Sequence, residues 1–117
     1  MRSALTLLVA ASWTVGNAFG AEKVVIGIGN AQSCAAWTQE RKADSHSVAT
    51  RLMQQWLVGY MTGANAAFPD DQDLLQGIDF DALTARVDEY CRAHPEDDLS
   101  FAANMVALDL VERLGGH

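Results

Sequence analysis

Positive charge is scarce in this chain. Lysine and arginine together number 8 in 117 residues, against 15 aspartates and glutamates, for a formal net charge of −7. Such a surface repels phosphate backbones and anionic membranes, so nucleic acid and lipid headgroups are not expected partners. A basic protein or a cation fits better. Cysteine is limited to Cys34 and Cys91. The two form no C-x-x-C, and no Cys/His cluster has the spacing of a zinc site. Proline is limited to Pro69 and Pro95, each placed to end a helix. Beyond the N-terminus no apolar stretch reaches the ~20 residues that a membrane-spanning helix needs. There is no internal repeat, low-complexity tract or linker.

What is present begins with an export leader. Arg2 supplies a basic start, and Ala4 to Val15 is a mostly apolar run. At about a dozen residues it is too short to span a bilayer. Ala18-Phe19-Gly20 places small residues where a signal peptidase reads them, which predicts a signal peptide over 1–20 with cleavage after Gly20. The alternative is an uncleaved membrane anchor. The remaining chain, residues 21–117, fits one domain. Without Arg2 it holds seven basic residues against 15 acidic ones, a net charge of −8. In an exported protein two cysteines read as a disulfide. Closing so long a loop is worth about 4 kcal/mol on the chain-entropy account. A pair of free thiols is the competing reading.

Periodicity predicts an all-α domain of four helices behind a short extended N-terminal segment. Val24-Val25-Ile26 favours a strand, and Gly27 and Gly29 end it. Ser33 can cap a helix over Cys34–Ala43, with Cys34, Trp37 and Arg41 on one side. Ser45 or Ser47 can cap the longest helix, Val48 to about Phe68. There Val48, Leu52, Trp56, Tyr60, Ala64 and Phe68 recur every four residues, and Met53, Leu57, Met61 and Ala67 widen the stripe. Gly59 and Gly63 inside this helix predict a closely packed neighbour. Pro69 to Asp79 reads as an acidic loop. Asp79 can cap a third helix, Phe80 to about Ala93, whose apolar face is Phe80, Leu83, Val87, Tyr90 and Cys91. Glu96-Asp97-Asp98 suit the positive end of a fourth helix, faced by Leu99, Ala102, Ala103, Val106, Leu110 and Leu114 and ended by Gly115-Gly116.

Several motifs fail on spacing. A dinucleotide fingerprint needs G-x-G-x-x-G/A between two strands. Gly27 and Gly29 fit, but Gln32 stands at the third position and no second strand follows. Asp70, Asp71 and Asp73 suggest calcium. Counted from Asp71, however, the sixth and twelfth positions are Gln76 and Ala82, where an EF-hand needs Gly and Glu. His46, His94 and His117 lie at neither ligand nor nucleophile spacing from a Cys or Asp. His94 instead suits the negative C-terminal end of the third helix. Asp88 and Glu89 are adjacent and point to different helix faces, so they form no acid/base pair. The expectation is therefore a non-enzyme without metal or cofactor, in which Trp37, Trp56 and Tyr60 anchor the core.

Three stretches carry a family likeness: SCAAW (Ser33–Trp37), WLVGYMTGAN (Trp56–Asn65) and VDEYCRAHPEDDLSFAA (Val87–Ala103). Their combination resembles the Rap/Tai family of periplasmic immunity proteins, which neutralise peptidoglycan-cleaving amidase effectors of type VI secretion. A looser likeness is to the HdeA/HdeB acid-stress chaperones, also small, exported and helical. The resemblance implies a helical fold, a Cys34–Cys91 bridge, often a homodimer, a periplasmic location, no cofactor and no catalysis. Matching positions are mainly scaffold: Cys34, Trp37, Trp56, Gly59, Tyr60, Gly63, Asn65, Tyr90, Cys91, His94 and Pro95. For an immunity protein the expected partner-binding site is the exposed loop Pro69–Asp79, through Asp70, Asp71 and Asp73. The chaperone alternative would work by acid reversal of the net charge, with self-repulsion exposing apolar helix faces.

Overall fold

A computed structural model describes residues 25–115 apart from 45 and 70. The expected leader over 1–20, Val24, the capping candidate Ser45, Asp70, Gly116 and His117 lie outside the described residues. Five helices follow in order: α1 (Ile28–Ala31), α2 (Cys34–Ala43), α3 (Val48–Ala66), α4 (Phe80–Ala93) and α5 (Leu99–Gly115). Among the described residues no strand forms, and no helix is long and apolar enough to cross a membrane.

Each long helix starts on a residue that satisfies its open backbone donors. Ser33 accepts from the Ala36 N–H, Ser47 from Thr50 and Asp79 from Ala82. The Asp98 carboxylate accepts from the Phe101 N–H at 2.7 Å and so caps α5. Two further orphan donors at the start of α2 find backbone partners instead. Cys34 N–H donates to the Asp97 carbonyl at 2.7 Å and Ala35 N–H to that of Pro95 at 3.1 Å. The turn between α4 and α5 is thereby stitched to the start of α2. The Cys34–Cys91 disulfide covalently fastens the same corner, with Cα atoms 4.7 Å apart across a separation of 57 residues.

The core is a single cluster. Trp37 and Cys34 come from α2, Met53, Leu57 and Met61 from α3, Leu83, Val87 and Cys91 from α4, and Leu99, Ala102, Ala103, Val106 and Leu110 from α5. Contacts with the other four helices make α5 the central element. The loop after α3 is tied down. Asn65 accepts from the Leu74 N–H at 2.7 Å and donates to Asp73, which brings the buried Leu74 into the core.

Four expectations need correction. Val25 and Ile26 form no strand: no neighbouring strand pairs with them, and Ile26 is exposed. Gly27, at φ +100°, turns the chain instead into the single helical turn α1. Gly29 is buried there, and a Cβ at that position would collide with the Trp56 indole. On α3 the row spaced by four residues is not one face. A step of four overshoots a 3.6-residue turn by about 40°, so Val48 and Leu52 point to solvent while Trp56, Tyr60, Ala64 and Phe68 wind toward the core. The fully buried stripe is Thr50, Met53, Leu57 and Met61. Gly59 and Gly63 fall on the outward side, and among the described residues nothing lies within 4 Å of a Cβ at either. Phe80, expected on the apolar face of α4, sits at its first residue and is exposed.

Candidate interaction surface

The inner face of α5 is used up by the core, yet the helix is apolar on its outer face as well. Phe101, Met105 and Leu108 are 50%, 37% and 53% exposed. Their i, i+4, i+7 spacing aligns them in one row on the side opposite Leu99, Ala103, Val106 and Leu110. Beside this row α4 and α5 enclose an open groove of about 410 Å³. Met105 and Val106 give it an apolar floor, and Glu89, Arg86 and Asp109 edge it. Arg86 spends its charge on Asp109, with Nη1 3.0 Å from Oδ2.

At the groove's end Tyr90 and His94 are stacked, with ring centroids 4.4 Å apart. The Tyr90 hydroxyl donates to Asp97 at 2.6 Å. Burial, the Asp97 hydrogen bond and the negative charges of Asp97 and Glu96 push its phenol up to about 12, so it remains a hydrogen-bond donor at any ordinary pH. His94 also caps α4 through its backbone N–H to the Tyr90 carbonyl, which places it at the negative helix end as expected.

The two carboxylates closest to a possible site separate as the sequence implies. Glu89 is exposed on the groove edge, whereas Asp88 faces α2. Its carboxylate accepts from the Trp37 indole at 2.7 Å and from Arg41 Nε and Nη2 at 2.5 and 2.6 Å. It is a clamp between helices. His46 is exposed, and its backbone N–H bonds to Asp44. In the acidic loop Asp71 is exposed, while Asp73 accepts from Asn65 and from the Leu75 N–H. One expected contact residue is thus engaged in shaping the loop.

A single apolar stripe on α5, Leu99 to Leu114, accounts for the core face of the helix but not for its outer row. A second stripe, Phe101-Met105-Leu108, was there to be found with the same 3.6-residue count. Fold and surface together define a small disulfide-tied helical domain with an unshielded apolar helix face. No family model, curated protein or solved structure matches the chain.

Proposed function

We propose that the protein is an exported, non-enzymatic inhibitor that binds a single protein partner through the outer face of α5 and the groove beside it. The observation that carries this reading is the exposed row Phe101, Met105 and Leu108. A contiguous apolar patch on a small rigid domain marks an interaction surface, because leaving it in water forgoes burial energy. Glu89 and Glu112 flank the row with charges unpaired among the described residues, so a basic partner surface is electrostatically matched. The likeness to Rap/Tai proteins supplies the partner class, a peptidoglycan-cleaving amidase. The disulfide is compatible with the oxidising periplasm that the leader implies. The homodimer implied by the same likeness has two apolar surfaces to draw on, the α5 row and the exposed Val48–Leu52 end of α3.

The test is the affinity of the mature, oxidised protein for an exported peptidoglycan amidase from its own source, measured by calorimetry at neutral pH. Met105→Glu and Leu108→Glu are each expected to lower affinity by about tenfold or more, the range of a central contact residue. Neutralising Asp70, Asp71 and Asp73 together is the parallel test of the acidic loop. A complex indifferent to both α5 substitutions would refute the assigned face. Absence of any one-to-one complex would refute the inhibitor reading.

A second reading, an acid-activated chaperone, is favoured by one feature. The polar pins between elements converge on aspartates: Asp88 on Trp37 and Arg41, Asp97 on Tyr90, and Asp98 and Asp79 on helix starts. Acid removes carboxylate charge as a class and would loosen all of these together. Capture of many unrelated clients only after acid exposure would favour it.

A further inference from the structure

Six basic side chains lie among the described residues: Arg41, Lys42, Arg51, Arg86, Arg92 and Arg113. Three of them line one cleft. Between α2 and α4 a hollow of about 180 Å³ is bounded by Thr38, Arg41, Lys42, Asp88 and Arg92. Asp88 is the one carboxylate there, and both its oxygens are already taken by Arg41, with Trp37 as a third donor. The hollow therefore carries a surplus of two positive charges in a chain whose overall charge is −7. Among the described residues neither Lys42 nor Arg92 has an ion-pair partner. Arg86 and Arg113, by contrast, are engaged with Asp109 and the Gln76 carbonyl.

The Arg41 guanidinium is held in place. Asp88 grips its Nε and Nη2, and the Trp37 ring lies 5.2 Å below its central carbon. Side-chain entropy is thus lost on folding and not again on binding. A fixed guanidinium with an ammonium and a second guanidinium beside it is the donor set that oxyanions select.

We propose that this cleft is an oxyanion site, one that takes a phosphate or carboxylate group between Arg41, Lys42 and Arg92. The competing explanation is that Lys42 and Arg92 only offset helix dipoles, since Arg41 and Lys42 stand in the last turn of α2 and Arg92 in that of α4. That role calls for no ligand.

The experiment is an amide NMR titration of the mature, oxidised protein with inorganic phosphate, chloride being adjusted to hold ionic strength constant. A second arm uses acetate. Saturable shifts confined to Thr38, Arg41, Lys42 and Arg92 are expected, and the arm with the tighter binding identifies the group. Lys42→Gln combined with Arg92→Gln should weaken that binding about tenfold or more, since each removes a charge-assisted hydrogen bond. Both side chains are exposed, so the fold is expected to survive the change. Arg51→Gln, an exposed arginine on α3 outside the cleft, is the control and should leave affinity unchanged. Shifts that rise without saturating in both arms would overturn the site. So would affinity that falls equally for Arg51→Gln, or that persists in the double variant.

Discussion

Replacing Asp88 by alanine should test whether one carboxylate holds α2 to α4. In the native protein Asp88 accepts from the Trp37 indole at 2.7 Å and from two Arg41 nitrogens at 2.5 and 2.6 Å. Trp37 is fully buried, so its N–H has no water to turn to. An unmade buried hydrogen bond costs about 1–3 kcal/mol. The ion pair adds less, because both side chains are about a quarter exposed. An allowance of about 1 kcal/mol is suitable for such a pair. The total is about 2–4 kcal/mol. Against a typical domain stability of about 5–15 kcal/mol, that is a large fraction. At about 4–8 °C per kcal/mol for a chain of this size, the midpoint should fall by roughly 10–30 °C. The assay is reversible thermal and urea unfolding of the oxidised protein at neutral pH, followed by far-ultraviolet circular dichroism. Asp88→Asn keeps an acceptor for the indole but loses the charge, so it should cost less than half as much. A loss below about 1 kcal/mol for Asp88→Ala would refute the reasoning. It would mean that water reaches the indole or that another acceptor replaces the carboxylate.

Further outcomes follow from the same geometry. Gly29→Ala should destabilise the protein by about 1–3 kcal/mol and shift its tryptophan fluorescence, because the added methyl meets the Trp56 ring. Gly59→Ala, with open space around it, should instead stabilise by up to about 1 kcal/mol in urea unfolding of the monomer. In alkali, Tyr90 should titrate near 12 against 10.0 for an ordinary phenol. The unfolded chain ionises first, so this contribution to stability is intact below pH 10 and is lost as pH rises from 10 toward 12. Tyrosinate absorbance against pH reads the shift directly, and Asp97→Asn should move the titration of Tyr90 down toward its usual value.

Much of this fold is written in local rules. Ser33, Ser47 and Asp79 cap the helices they precede, and the bounds of α2 and α4 follow from caps and apolar spacing. The disulfide is legible from two cysteines on apolar faces of helices, in a chain whose first residues read as an export leader. The failures share another cause. Val25 and Ile26 have the composition of a strand, but a strand needs a neighbour to take its hydrogen bonds, and composition does not supply one. The Asp88 clamp joins positions 47 and 51 residues apart in sequence. Helical spacing places Trp37 and Arg41 together on α2, but it says nothing of what they will meet on α4.

Sequence alone does not mark the surface, because burial is a relation between two faces. On α3 the row Val48-Leu52-Trp56-Tyr60 is apolar throughout, yet only its later members turn inward. On α5 Phe101, Met105 and Leu108 look in sequence like the core residues they alternate with. A chain under selection only to fold would gain by placing polar residues at Val48, Leu52, Phe101, Met105 and Leu108, since a large apolar side chain in water adds nothing to stability. Phe101, Met105 and Leu108 keep their apolar character on a helix whose inner face is already complete, which argues that a second surface covers them in use. The charged edge of the groove sets the kind of surface. Glu89 and Glu112 carry charges unpaired among the described residues, whereas Arg86 is neutralised by Asp109. The unspent charge beside the apolar row is negative, and a partner that buries Met105 should therefore bring cations to the edge. If it does, raising salt should weaken the complex mainly by slowing association, whereas Met105→Glu should mainly speed dissociation.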